Sequence, residues 1–277
     1  MNKIALEIKS LAKEYSKGNK ALDDVSFSIE KGEIVGFLGP NGAGKSTTMN
    51  IITGYLIKTS GEVYIDGEKF DGINPEIKKK MGYLPETPPL YNEMTVIEYL
   101  NFVYDLKKVK LNKKEHIAEI IEKTSLGTHK NRLIRNLSKG YKQRVGIAGA
   151  LIGDPEILIF DEPTIGLDPK QIMEIRELIK ELAVYQTVIL SSHIMQEIES
   201  IATKVIVINN GKIVANGTQK SLFEKSNNTS GEIVVEVEKD IDKVVSKIEK
   251  IPGVKSVEIK KSLENIFLEL TKEEVAE

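Results

Sequence analysis

A chain of 277 residues is long enough for one large domain plus a small one, with a sizeable buried core. Hydrophobic residues at 40% and charged residues at 29% are ordinary for a soluble globular protein, and a formal net charge of −2 gives no electrostatic reason for a nucleic-acid or anionic-membrane partner. The absence of cysteine excludes disulfides, zinc–thiolate sites and cysteine nucleophiles, and suits a reducing cytoplasm.

The first eight residues lack the apolar stretch of a signal peptide. The longest apolar runs, 157–160, 188–190 and 205–208, are far shorter than the ~20 residues a spanning helix needs, so work at a membrane requires a partner chain. Residues 4–8 and 26–29 predict short strands. Gly32 precedes a buried-type strand over 34–38, which runs into a glycine-rich loop, and residues 46–52 have helical potential. Residues 61–67 read as a strand between glycine turns.

From about 87 to 153 the spacing becomes helical, as at Val96, Leu100 and Val103, with a Lys/Glu-rich face over 107–122. The runs Lys78-Lys79-Lys80 and Lys107-Lys108 read as solvated faces, and His116 and His129 as solvated histidines of this helical insertion. The alternation of strand and helix then resumes: strand 157–160, helix near 171–184, strand 187–190, helix near 195–202, strand 204–208. That order predicts a mostly parallel sheet covered on both faces. A polar linker, 226–231, separates residues 1–225 from a small α+β domain over 226–277. Its predicted elements are a strand over 233–237, a helix over 241–250, a turn at Pro252-Gly253, and strands near 254–259 and 266–270.

The loop Gly39-Pro40-Asn41-Gly42-Ala43-Gly44-Lys45-Ser46 matches the P-loop pattern in full, between a buried strand and a helix. Its glycines let backbone N–H groups converge on β- and γ-phosphates, and the helix that follows adds its positive end. Lys45 supplies a full charge, and Ser46 a hydroxyl for Mg²⁺. Further on, an apolar strand ends in two carboxylates: Asp161 can hold Mg²⁺, and Glu162 is placed to polarise an attacking water.

With these motifs, and with Leu137-Ser138-Lys139-Gly140-Tyr141 followed by Lys142-Gln143-Arg144, residues 4–220 resemble the ATP-binding cassette (ABC) ATPases. The resemblance implies a P-loop cassette: a mostly parallel core sheet, an antiparallel β-subdomain and a helical subdomain. It implies ATP hydrolysis with Mg²⁺, and the Leu137–Tyr141 segment is similar to the family's signature motif. Ser138 suits a helix N-cap, and Gly140 keeps the backbone open to an anion, which in the family is the γ-phosphate of ATP on another copy. The family's commonest signature has Gly and Gln where this chain has Lys139 and Tyr141, a variation found in related exporter ATPases.

Tyr15 matches the residue that stacks on adenine, although a lone tyrosine is ordinarily a core or surface residue. Thr47 continues the phosphate loop. His193 resembles the switch histidine that contacts the γ-phosphate, and Asp168, in Gly166-Leu167-Asp168, a residue that crosses the dimer interface. Gly82-Tyr83-Leu84-Pro85-Glu86 departs from the family, which usually has Gln at the last position; a carboxylate keeps the acceptor oxygens, loses the amide donor, and can still approach Mg²⁺.

The resemblance implies a head-to-tail pair of cassettes, as a homodimer or beside a second ABC ATPase, closed by ATP and released by hydrolysis. It implies a separate integral membrane permease, gripped near Leu90–Tyr104 and Glu86, and hence a place in the cytoplasm on the inner face of the cell membrane. The signature and Tyr-Leu-Pro-Glu variants are similar to those of exporters. The chain lacks the Asn-Lys-x-Asp motif of GTPases, and a soluble ABC ATPase working on a macromolecular complex usually has a second cassette, a long coiled coil or zinc cysteines. Intact Lys45, Asp161, Glu162 and His193 argue against a catalytically dead regulatory cassette. The domain 226–277 reads as one that packs on the cassette or aids dimerisation.

Overall fold

The computed structural model describes residues 3–16, 18–225, 235, 237, 240–254, 256 and 257. β1 (Ile4–Ser16) and β2 (Asn19–Glu30) make an antiparallel ribbon, much longer than the short strands expected over 4–8 and 26–29. Its register shifts between Ile8 and Leu11, with Ser10 at φ 46° and Asp24 at φ 56°. An irregularity of this kind bends a ribbon without ending it, and it breaks the two-residue alternation that marks a strand in sequence. β4 (Ser60–Ile65) and β5 (Glu68–Lys69) complete a four-stranded antiparallel sheet in the order β2-β1-β4-β5.

The second sheet is built from β3 (Ile34–Leu38), β6 (Met81–Leu84), β7 (Ile157–Asp161), β8 (Thr187–Ser192), β9 (Lys204–Asn209) and β10 (Lys212–Gly217). Its order is β10-β9-β3-β8-β7-β6, parallel throughout except for the antiparallel edge β10. Every residue of β3, β7 and β8 is buried, which explains their unbroken apolar runs. Alternate residues feed two cores. Ile34, Leu38, Leu158, Phe160, Val188 and Leu190 pack with the helices, whereas Val35, Phe37, Ile157, Ile159 and Ile189 pack with the antiparallel sheet. Each fully buried Leu, Ile or Phe contributes roughly 1.5–3 kcal/mol.

The helices are α1 (Lys45–Ile52), α2 (Pro75–Lys79), α3 (Val96–Leu106), α4 (Lys113–Lys123), α5 (Lys139–Leu151), α6 (Pro169–Ala183), α7 (Met195–Ile201), α8 (Gln219–Lys225) and α9 (Ile241–Ile248). α3 starts on a full capping box, in which Thr95 and Glu98 bond each other's backbone N–H, and α4 starts on the side chain of Asn112. α3, α4 and α5 occupy the connection between β6 and β7, where helical spacing was expected.

Two sequence expectations within this region are corrected. His116 is buried, and its Nε2 accepts a hydrogen bond from Gly153 N at 2.9 Å; burial lowers its pKa below the ordinary histidine value and favours the neutral acceptor. Lys107 is not part of a solvated face. It is only partly exposed, and its Nζ donates to the carbonyls of Gly149, Ala150 and Ile152.

Packing divides the chain into Met1–Lys225 and Ser226–Glu277. In the second unit α9 presents apolar residues at 241, 244, 245 and 248, as its spacing predicts. The expected strands over 233–237, near 254–259 and 266–270 lie mostly or wholly outside the described residues.

Candidate nucleotide-binding site

The phosphate loop leaves the carboxyl end of β3, where the parallel sheet opens. Gly44 takes φ 110° and caps α1 with no side-chain hydrogen bond, and no acidic residue stands in the helix's first turn. A helix start of that kind offers free N–H donors and positive potential to an anion. A Cβ on Gly44 would meet Leu22 Cδ2 at 2.7 Å and Ala21 O at 2.8 Å, and one on Gly39 would collide with Ile208 O. Glycine is therefore required at both by close backbone approach. Pro40, Asn41 and Gly42 are exposed at the rim, and Ala43 is buried beneath them.

Lys45 is 5% exposed, and its Nζ donates to Gly39 O at 2.7 Å and Pro40 O at 3.3 Å. It also lies 3.4 Å from Glu162 Oε1, and Glu162 Oε2 lies 2.9 Å from His193 Nδ1. Lys45, Glu162 and His193 thus form one continuous polar chain at the carboxyl edge of β3, β7 and β8. Glu162 holds φ 48°, a left-handed conformation that a non-glycine residue adopts at a cost of about 1–3 kcal/mol.

That backbone is held by Ser191, which is fully buried. Its hydroxyl accepts from Glu162 N at 2.9 Å and donates to Asp161 Oδ1 at 2.5 Å. One side chain therefore places both carboxylates. Beside it, Ser192 Oγ and Thr164 Oγ1 both donate to the buried Glu197 Oε2 at 2.7 Å. Sequence reasoning missed Ser191, Thr164 and Glu197. The readable signal was the polar pair Ser191-Ser192 ending an otherwise apolar buried strand.

Tyr15 is exposed, with its hydroxyl 3.5 Å from Thr47 Oγ1 and Lys13 Nζ 5.2 Å from its ring centre. An open aromatic face beside the phosphate loop can stack on a base. Ser46, partly buried, stands next to Lys45 at the start of α1.

Ser138 caps α5, accepting from Tyr141 N at 3.4 Å, and Gly140 is buried in the same first turn. A Cβ on Gly140 would meet Gln171 Cδ at 2.6 Å. Asp168 caps α6, accepting from Gln171 N at 2.9 Å. Glu86 is exposed just beyond β6. Among the described residues, Ser138, Gly140, Asp168 and Glu86 make no hydrogen bond or ion pair with Lys45, Asp161, Glu162 or His193.

Among the described residues no three His, Cys, Asp or Glu side chains cluster as a metal cage. A small hard cation such as Mg²⁺ does not need one when phosphate oxygens supply most of its ligands, and Asp161 with the Ser46 hydroxyl is a donor set of the right chemistry. The uncapped start of α1 and the inward ammonium of Lys45 suit a polyphosphate.

The family model described as ABC transporter matches residues 22–165. The bacitracin transport ATP-binding protein BcrA of Bacillus licheniformis is 41% identical over 206 residues, covering 74% of this chain and 66% of BcrA, just under two thirds of that protein. The ABC transporter ATP-binding protein NatA of Bacillus subtilis is 40% identical over 213 residues, covering 74% of this chain and 85% of NatA. Among solved structures, the dimeric bacterial ABC transporter cassette MJ0796 superposes with a TM-score of 0.70 at 29% identity, over 77% of this chain and 98% of that one.

Proposed function

The chain belongs to the ABC transporter family as an ATP-binding, ATP-hydrolysing subunit, and from that premise we propose that it powers an exporter through a separate membrane protein. The buried chain Lys45–Glu162–His193 at the open edge of the sheet carries this reading. Lys45 turns its ammonium from Glu162 to the phosphates. Glu162, freed from Lys45 and steadied at Oε2 by His193 Nδ1, takes the proton of the attacking water. His193 then faces the leaving γ-phosphate. Ser46 and Asp161 would hold Mg²⁺, with Glu86 as a further carboxylate that could approach it, and the ion would supply charge neutralisation on the phosphate oxygens. Tyr15 stacks on the adenine, and residues 39–47 wrap the phosphates.

Ser138, Gly140 and Asp168 make no hydrogen bond or ion pair with their own chain's Lys45–Glu162 cluster among the described residues, which supports completion of each ATP site by a second cassette, head to tail. The related bacterial ABC transporter cassette MJ0796 is dimeric. ATP then bridges the copies, and loss of the γ-phosphate lets them part. Among the described residues no helix is long and apolar enough to cross a membrane; in this reading transport runs through a permease subunit, and the chain works at the inner membrane face. A surface cavity of about 240 Å³, lined by residues including Tyr55, Lys78, Tyr83, Pro88, Tyr99 and Lys107, is the docking place that we assign to that subunit. The signature and Tyr-Leu-Pro-Glu variants favour export. Residues 1–225 are the ATPase domain and 226–277 a small accessory domain.

Replacing Glu162 by Gln tests the assignment. The variant is expected to bind ATP, stop turning over and accumulate as an ATP-dependent dimer in size-exclusion chromatography. A variant that stays monomeric with ATP while hydrolysing at the wild-type rate overturns both the role of Glu162 and the shared site.

A further inference from the structure

α5 is the element that carries Ser138 and Gly140, and its two ends are held by different partners. Gly140, Gly146, Ala148, Gly149 and Ala150 lie on it beside the core residues Val145, Ile147 and Leu151, so its middle packs closely against its neighbours while its two ends are fixed by polar contacts. Its amino end rests on the Ser138 cap, a stack of His129 on Tyr141 with ring centres 3.8 Å apart, and Arg144, which reaches Thr124 O and Glu174. Its carboxyl end is held differently. There the chain turns at Gly153, φ 95°, and three carbonyls of the last turn and cap converge on one cation from another helix.

That cation is Lys107, the residue after the last turn of α3. Its Nζ donates to Gly149 O at 3.1 Å, Ala150 O at 3.2 Å and Ile152 O at 2.8 Å, which uses all three of its protons. No carboxylate pairs with it among the described residues, and desolvation pushes its ammonium down to about 8. An unpaired, desolvated lysine is costly unless its partners are well placed, and the negative end of a helix places them well. His116 of α4 secures the adjoining residue by accepting from Gly153 N at 2.9 Å. The stem of Lys107 also lines the 240 Å³ cavity with Tyr99 and Val103.

We propose that Lys107 is a positioning residue for ATP hydrolysis: by pinning the carboxyl end of α5 it sets where Ser138 and Gly140, roughly 14–21 Å away along the same helix, stand against a second cassette's ATP. This rests on the reading that those two residues complete the site of another copy. Lys107 touches neither nucleotide nor water; it acts through α5. Because it also borders the cavity, an occupant there bears on the same pin, and the residue joins the proposed docking surface to the signature end of the helix.

The test uses the full chain, with kcat and KM for ATP measured separately and with nucleotide affinity measured without Mg²⁺. Lys107→Met is expected to bind ATP within twofold of the parent and to lose at least tenfold in kcat, while Lys107→Arg, which keeps cation and donors, stays within threefold. Should Lys107→Met not fold, Lys107→Gln carries the same criteria. In the double variant with Ser138→Ala the loss is expected to be smaller than the product of the two single losses, because both act at one contact. A folded Met or Gln variant with the parent kcat, or a double variant whose losses multiply, overturns the proposal. Ser138→Ala with the parent kcat would instead overturn the shared-site reading on which it rests.

Discussion

Ser191 is the side chain whose loss the site should tolerate least, although it touches neither nucleotide nor metal in the proposed chemistry. Replacing it by Ala removes two bonds from a fully buried hydroxyl. Glu162 N is left as a buried donor without a partner, at about 1–3 kcal/mol, and the bond to the Asp161 carboxylate is worth about 1.5–3 kcal/mol. Ser191→Ala is therefore expected to lose about 2.5–6 kcal/mol of the roughly 5–15 kcal/mol that typically holds a domain together. In thermal unfolding that is roughly 5–24 °C for a domain of this size. The left-handed backbone of Glu162 also loses its restraint, so at a temperature where the variant is still folded its kcat should fall by at least tenfold. Denaturant titration gives the stability and a coupled phosphate-release assay the rate. A loss below about 1 kcal/mol with an unchanged rate refutes the argument, since neither bond would then be holding the carboxylates.

Gly44→Ala forces a Cβ against the Ala21 carbonyl at a positive φ, and is expected to cost at least about 2 kcal/mol and weaken ATP binding by more than tenfold; isothermal titration calorimetry with the parent affinity would refute this. His116 has its pKa lowered by burial, so below 6.5 the unfolded chain takes up its proton first and stability falls as the pH drops. His116→Gln is expected to flatten that part of the stability–pH curve, and an unchanged slope in urea titrations between pH 5 and 7 counts against it. Glu86→Ala and Glu86→Gln are expected to reduce ATP-driven transport in vesicles containing the membrane partner; parent ATPase rates with intact transport in both would remove Glu86 from the coupling role.

Much of the fold is readable because it is local. The apolar runs of β3, β7, β8 and β9, and the glycine loop after β3, announce themselves within a few residues. The long β1–β2 ribbon does not, because the register shift between Ile8 and Leu11 destroys the alternation that a strand is read by. β10 escaped for a related reason: as an edge strand it alternates between partly buried and exposed residues, and its apolar stretch Ile213-Val214-Ala215 is short. In the candidate site, the motif residues are legible from type and spacing. The role of Ser191 is not, even though the polar pair Ser191-Ser192 marks the strand's end, since its partners Asp161 and Glu162 lie about thirty residues away in sequence and meet it only across β7 and β8. Lys107 and His116 were misread for the complementary reason. A charge pattern describes a helix in water, and both side chains turn inward to the end of α5, which no pattern on α3 or α4 discloses.

β6 and β7 are neighbours, paired in parallel from Met81 with Ile157 to Leu84 with Phe160. Everything between them, residues 85–156, leaves one edge of the sheet and returns to that same edge. Such an excursion can vary the outer faces of α3 and α4 without shifting the register of any strand, provided that α5, with Ser138 and Gly140, keeps its place in the core. The part of the molecule assigned to meet a membrane protein is thereby free to diversify with its partner, while β3, β7 and β8, which carry the phosphate loop, the carboxylates and His193, keep one arrangement. Grafting residues 85–156 between homologous cassettes is accordingly the natural way to redirect which permease a given ATPase drives.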